Sequence, residues 1–306
     1  MLRYITTRIF ATIPTLVLVS FLVFLILRLV PGDPVRLMFG MTPPPESEIQ
    51  KIRHEMGMDR PLLSQYASFM GRVMQGDFGR SYRTRQEVSK MIQERLPRTL
   101  KLAALGMLIA TLIGILSGVV AAANRGSWLD TLTMSGAVIG VSVPQFWFGM
   151  MLILLFAVHL RWFPVAGSQT FSHVILPAIT LGLTGSAVLA RVTRAGMIEV
   201  LNNDYIRTAR AKGVQEGKVN YRHALKNVMI PVVTILGLQL GGLLSGAIVV
   251  ETVFGFAGIG QLAVYSLNTR DYPVIQAVVL LTAVGYVLAN LLVDVAYAMV
   301  DPRIRY

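Results

Sequence analysis

Residues Leu102 to Asn124 read LAALGMLIATLIGILSGVVAAAN, without one charged side chain. A hydrocarbon core about 30 Å thick is crossed by about 20 apolar residues in a helix. Each charge at the centre of such a helix would cost about 2.5–3.5 kcal/mol to insert. The stretch therefore predicts a membrane-spanning helix, and similar windows lie on both sides of it. Thr131 to Val158 is equally free of charge and long enough to tilt or kink at Pro144. Val174 to Ala190, Val228 to Val250 and Pro273 to Val293 follow. Ile9 to Leu27 precedes, flanked by Arg3, Arg8 and Arg28. Its apolar region is too long for a cleaved leader, and Leu29-Val30-Pro31-Gly32-Asp33-Pro34 offers no small-x-small cleavage site. It reads as a retained anchor. The predicted fold class is an all-α integral membrane protein of about six transmembrane helices.

The totals agree. Hydrophobic residues make up 54% of the 306 and charged residues 14%, against about 25% charged in a soluble domain. The net charge of +12 would suit nucleic acid, but no basic patch interleaved with stacking aromatics accompanies it. In a membrane protein an excess of this kind marks loops on the cytoplasmic side. The loop between the fourth and fifth spans carries Arg191, Arg194, Arg207, Arg210, Lys212, Lys218, Arg222 and Lys226 against Glu199, Asp204 and Glu216. It is short enough for the positive-inside rule and is expected in the cytoplasm, with both termini. Pro31 to Arg98 is then extracytoplasmic. It is basic too, but exceeds the roughly 60 residues over which loop charge sets topology. Helical spacing over Ser47 to Met56 and Leu62 to Met74, punctuated by Pro43-Pro44-Pro45 and Gly76-Asp77-Phe78-Gly79, predicts a small helical cap there. The expected organisation is an N-terminal tail and first span (1–30), an extracytoplasmic helical region (31–98) and a five-span core (99–306) with a cytoplasmic loop at 199–231.

Catalytic chemistry is not written in the chain. Without cysteine, thiolate sites and disulfides are excluded. There is no phosphate-cradling G-x-x-x-x-G-K-[ST] and no H-E-x-x-H; His54-Glu55 lacks the second histidine, and His159, His173 and His223 stand apart. No metal site or bound cofactor is expected. Spans two to five carry no ionisable residue in their interiors, so transport driven by titration within the membrane has little support. Glu251 falls at one end of span five and Asp294 near one end of span six. Energy would have to come from a partner.

The stretch from 199 to 231 is suited to receive it. Asn202-Asn203-Asp204 offers capping oxygens before a short helix, Tyr205 to Lys212, that Gly213 would end in a left-handed cap. Ile206 and Ala209 alternate with Arg207 and Arg210, and the small side chains would let another protein approach closely. A second amphipathic stretch, Lys218 to Lys226, leads to Pro231. On composition alone, a basic loop that only fixes topology and a lever gripped by a cytoplasmic motor remain equally open.

Ala209-Arg210-Ala211-Lys212-Gly213 within Tyr205 to Gly213, then Arg222-His223-Ala224-Leu225-Lys226-Asn227 and Ile230-Pro231, resemble the EAA loop of ABC-importer permeases. More narrowly they resemble the dipeptide/oligopeptide/nickel (DppB-like) branch. Along nearly the whole chain Pro31-Gly32-Asp33-Pro34, Gly76-Asp77-Phe78-Gly79-Arg80-Ser81, Pro97-Arg98-Thr99-Leu100, Ile175-Leu176-Pro177-Ala178, Arg270-Asp271-Tyr272-Pro273 and Asp301-Pro302-Arg303 resemble that branch in order and spacing. The resemblance implies a type I importer fold in the bacterial cytoplasmic (inner) membrane, which forms half of a pathway for di- or oligopeptides or a related solute such as glutathione, nickel or an oligosaccharide. It implies a second homologous permease, two cytoplasmic ATPase subunits that bind ATP and Mg, and an extracytoplasmic solute-binding protein. The lipid bilayer is the remaining partner, and nucleic acid is none. The ATPase-coupling residues it implies are Asp204, Tyr205, Arg207, Thr208, Ala209, Ala211 and Gly213. Arg207 stands where the general motif has an acid.

Other side chains carry two readings each. Gln145 and Phe146, beside Pro144, line a pathway or fill a kink. Gln239 and Ser245, among Gly237, Gly241, Gly242 and Gly246, leave room for solute or allow close helix packing. Glu251 meets a basic group on a binding protein or is a hydrated interfacial carboxylate. Asp294, one turn from Asn290, is a functional intramembrane carboxylate or makes a structural hydrogen bond at a helix end. An ion-coupled secondary carrier is the alternative function, and a scaffold with no pathway a third.

Overall fold

The structure, a computed structural model, describes residues 2–29, 36, 45–55 and 58–300. The motifs Pro31 to Pro34 and Asp301 to Arg303 lie outside the described residues, as do the side chains of Ser245 and Asp294. Helix α1 (Leu2–Leu29) is followed by α2 (Glu46–Glu55) and α3 (Leu62–Met74). Then come α4 (Val88–Ala123), α5 (Trp128–Ser142) and α6 (Gln145–Leu152), which continues as a π-helical segment, Ile153–His159. Helix α7 (Ser172–Leu201) precedes the short α8 (Asp204–Ala211). A single turn and a π-helical segment, Val219–Ala224, introduce α9 (Leu225–Val253). Helices α10 (Ile259–Thr269) and α11 (Tyr272–Val300) complete the chain. Among the described residues there is no β-sheet, only an isolated bridge between Arg80 and Glu87.

Four stretches, 88–123, 172–201, 216–242 and 272–291, are long and apolar enough to cross a membrane; the bent pair α5–α6 makes a fifth. In α1 the apolar part described is Thr12–Leu25. Two expectations need correction. The third span does not merely kink at Pro144: its halves are bent by 106°. Proline lacks the N–H to continue α5 and forces the residue before it out of the helical region. Val143 is accordingly extended (φ −80°, ψ 126°), and Pro144 caps a new helix. The boundary expected at residue 98 falls inside α4, which begins at Val88 and passes through Pro97 without a break. Its first turns carry the charges that the apolar window excluded.

The bundle is built on α4 against α7, its most extensive helix pair. Small residues make that contact possible, as they do wherever helices meet without a hydrophobic drive between them. A Cβ on Gly114 would fall 2.9 Å from the Ser186 carbonyl, and one on Gly118 would fall 2.7 Å from that of Ala190. Three apolar clusters line up along the bundle. One joins Val88, Met91 and Ile92 to Ile259, Leu262 and Val274 at the end that carries α10. A middle one holds Leu102, Leu181, Val250 and Phe254. The third joins Val119, Leu189 and Met197 to Ile206, Val219, Ala224 and Val228 at the end that carries α8. Helix α9, 29 residues long, separates those two ends by about 43 Å.

Helix α3 runs over the residues its periodicity indicated. It packs on the second half of α1: Tyr66 lies edge-on to Phe21 and Phe24, at 5.2 and 5.4 Å between ring centroids. The Tyr66 hydroxyl is 2.6 Å from Ser20 Oγ.

Candidate functional site

Helix α8 closes an elbow between α7 and α9. After Leu201 the chain turns through Asn202, Asn203 becomes extended (φ −73°, ψ 149°), and α8 starts at Asp204. The expected capping by an Asn side chain is absent: Asn203 makes no side-chain cap hydrogen bond, and the Asp204 carboxylate accepts from Arg207 at 3.5 Å. The other end follows the expectation. Gly213 adopts φ +75°. Its N–H donates to the Arg210 carbonyl at 2.9 Å and that of Val214 to the Ala209 carbonyl at 3.2 Å, which closes the helix as a left-handed cap does.

One side chain anchors α8. Ile206 is fully buried among Met197, Val219, Ala224 and Val228. At about 25 cal/mol per Å² a buried isoleucine stabilises the contact by about 1.5–3 kcal/mol. Polar links close the elbow: Asn227 Nδ2 donates to the Tyr205 hydroxyl at 2.8 Å, and Arg210 Nε donates to Glu216 at 2.8 Å. The apolar side of α8 is therefore turned onto the chain itself at Ile206, and Ala209, expected at a close partner contact, is half-buried. Asp204, Tyr205, Arg207, Thr208, Ala211 and Gly213 are exposed. Seven residues singled out in sequence thus form one short element, with six of them on its free surface.

Two pathway candidates meet at one place on α7. Gln239 Nε2 donates to the Gly185 carbonyl at 2.8 Å, and Gln145 Nε2 lies 3.5 Å from the Thr184 hydroxyl. The break after α5 brings Gln145 there, and α9 brings Gln239. Gly241 packs against Tyr286, where a Cβ would lie 2.4 Å from the ring, while Gly242 faces open space. Phe146 and Trp147 are exposed.

Glu251 departs from both of its readings. It is neither hydrated nor free to meet a partner: it is fully buried. Thr99 Oγ1 donates to one carboxylate oxygen at 2.6 Å; the N–H groups of Gly260 and Gln261 donate to the other at 2.7 and 3.1 Å. The carboxylate thereby satisfies donors at the start of α10 that have no partner within the helix. Gly258 is required beside it, since a Cβ there would lie 2.2 Å from the carboxylate. A second buried carboxylate, Asp271, accepts from the Ser81 hydroxyl and from the Tyr82 N–H at 2.9 Å. It ties the loop before α4 to the α10–α11 corner, so Gly79-Arg80-Ser81 and Arg270-Asp271-Tyr272, distant in sequence, are one structure.

Sequence reasoning passed over Asp130. It lies in the first turn of α5, just outside the apolar window, and receives a two-pronged contact from Arg194 of α7: Nε at 2.6 Å and a terminal guanidinium nitrogen at 2.7 Å. The Gly126 N–H donates to it at 3.0 Å. Among the described residues no group of three or more His, Asp or Glu is placed to hold a metal ion.

Comparison with known proteins places these elements in context. Residues 89–306 match the family model described as binding-protein-dependent transport system inner membrane component, and residues 1–103 match the model of its N-terminal region. The chain is 48% identical over 309 aligned residues to the glutathione transport system permease protein GsiC of Escherichia coli (strain K12), with both proteins covered in full. Identity to the protein of that name from Salmonella paratyphi A is also 48% at full coverage. Among solved structures, an inward-facing form of the MetNI methionine ABC transporter superposes with a TM-score of 0.59 at 19% identity. The match covers 69% of this chain and 96% of that one.

Proposed function

Since the chain belongs to the family of binding-protein-dependent transport system inner membrane components, has the type I ABC-importer permease fold and is a transport subunit rather than an enzyme, we propose that it forms half of a solute pathway worked through α8. Two cytoplasmic ATPase subunits, which bind ATP and Mg, grip the exposed face of the elbow: Asp204, Tyr205, Arg207, Thr208, Ala211 and Gly213. A second homologous permease completes the pathway, and an extracytoplasmic binding protein delivers the solute to the 31–98 side. Both termini then lie in the cytoplasm. Gln145 and Gln239, held at Thr184–Gly185, are the polar groups offered to the solute. The solute class is a small peptide, with glutathione first because relatives 48% identical over their whole length bear that name.

The observation that carries this reading is the one-sided anchoring of α8. A short helix with one fully buried side chain, Ile206, and six exposed coupling candidates is built to be held from the other side. The experiment is ATP-dependent uptake of labelled glutathione by liposomes holding the chain with its second permease, ATPase subunits and binding protein. Uptake that requires all four components is expected. Uptake by the chain alone down an ion gradient would establish a secondary carrier instead.

A further inference from the structure

The seam between α5 and α7 is built from small side chains. Met134 and Ala137 of α5 meet Ala187 and Ala190 of α7, and a Cβ on Gly140 would lie 3.3 Å from that of Ala187. Such a seam brings two helices close but gives them little to interlock, because methyl groups leave shallow ridges and grooves. The ion pair stands at one end of this stripe. Asp130 precedes Met134 and Ala137 on the face of α5 that meets α7, and Arg194 follows Ala190 by one turn. The Asp130 side chain is 7% exposed and that of Arg194 28%. Two parallel N–H···O bonds fix angle as well as distance. The Gly126 N–H holds the carboxylate, and the Ser127 hydroxyl caps the helix start by accepting from the Asp130 backbone N–H at 3.4 Å. Desolvating two charges is a poor way to gain stability, and the best-attested use of a buried pair is to specify register.

Position gives that register a consequence. Arg194 stands about two turns before Leu201, where α7 becomes the elbow. Asp130 begins α5, which ends at the break that presents Gln145. We infer that the Asp130–Arg194 pair is a positioning link that makes the broken span follow α7, so that displacement imposed on α8 arrives at Gln145 rather than dissipating as slip along the alanine seam. The inference rests on the proposed gripping of the elbow and adds the route by which its motion reaches the pathway.

The test uses the complete transporter in liposomes, with solute uptake and ATP hydrolysis measured on the same preparation. In Asp130→Asn and Arg194→Gln, the ATPase subunits should still co-purify and hydrolysis should persist. Solute moved per ATP should fall about tenfold, within the range of site-to-site coupling energies. The chain contains no cysteine, so a double Asp130→Cys, Arg194→Cys variant can be bridged by a bis-maleimide. Bridging should restore the uptake-to-ATP ratio that the unbridged pair lacks. Wild-type ratios in the single variants, or a bridged pair that assembles and stays uncoupled, would overturn the link. If the single variants do not assemble, the bridged pair decides. Failure of the elbow reading would show separately, as an unaltered chain that does not co-purify with ATPase subunits at all.

Discussion

At the α10 end of the bundle, Glu251 and Asp271 are buried against hydroxyl groups and backbone N–H groups of Thr99, Gly260, Gln261, Ser81 and Tyr82. At the α8 end, Asp130 faces a guanidinium, and α8 is seated by buried Ile206 with two exposed polar links, Tyr205–Asn227 and Arg210–Glu216. The first arrangement knits loops and helix starts from distant parts of the sequence into one body with little freedom. The second leaves a short helix mostly in the open, joined to the rest by one buried apolar side chain and by exposed polar links. Under the proposed function, the contrast separates a part that stays fixed from a part that is moved.

Substitutions can break this contrast, and the largest effect is expected at Ile206. Ile206→Asp would bury an uncompensated charge, which costs about 3–5 kcal/mol. The elbow should detach, ATPase subunits should fail to co-purify and uptake should vanish, while the chain still inserts in the membrane. Glu251→Ala should act at the other end and on another property. It leaves the Thr99 hydroxyl and two backbone N–H groups without an acceptor, each costing about 1–3 kcal/mol. The purified complex should lose much of its thermal half-life, with ATPase association intact. Were Glu251→Ala to release the ATPase, the two ends would not be separable in the way described.

Gly213→Ala sharpens the picture at smaller scale. Nothing lies within 4 Å of a Cβ there, so crowding is not the issue; the φ of +75° is. A left-handed alanine costs about 1–2 kcal/mol, and uptake should fall about 5- to 30-fold. The least effect is expected from Arg207→Glu. Arg207 is exposed and its contact to Asp204 is long, and exposed pairs contribute at most about 1 kcal/mol. Uptake within twofold of normal would show that the sign of the charge at this position does not decide how α8 is held.

What the sequence disclosed follows from how each feature is encoded. Apolar windows and the left-handed Gly213 are local signals, and both correspond to what the fold contains. The turn at Pro144 was visible, but its 106° was not, because proline ends a helix without saying where the next one points. Helix α10 escaped notice: it is short, and Gln261, Ser266 and Asn268 interrupt its apolar spacing of Ile259, Leu262 and Ala263. A signal was there in Gly255-Phe256-Ala257-Gly258 before it. What covers Ile206 of α8 could not be read from the sequence, because an amphipathic helix states that it has an apolar side and not which surface covers it. Asp130 and Arg194, 64 positions apart, share no periodicity that would reveal them.

The account depends most on Thr208 lying in the cytoplasm within a protein contact. In intact cells that express Thr208→Cys with the partner subunits, a membrane-impermeant thiol reagent added outside should leave the residue unlabelled. In inverted vesicles it should label when the ATPase is stripped away and be shielded when the ATPase is bound. Labelling from outside intact cells would contradict the central claim.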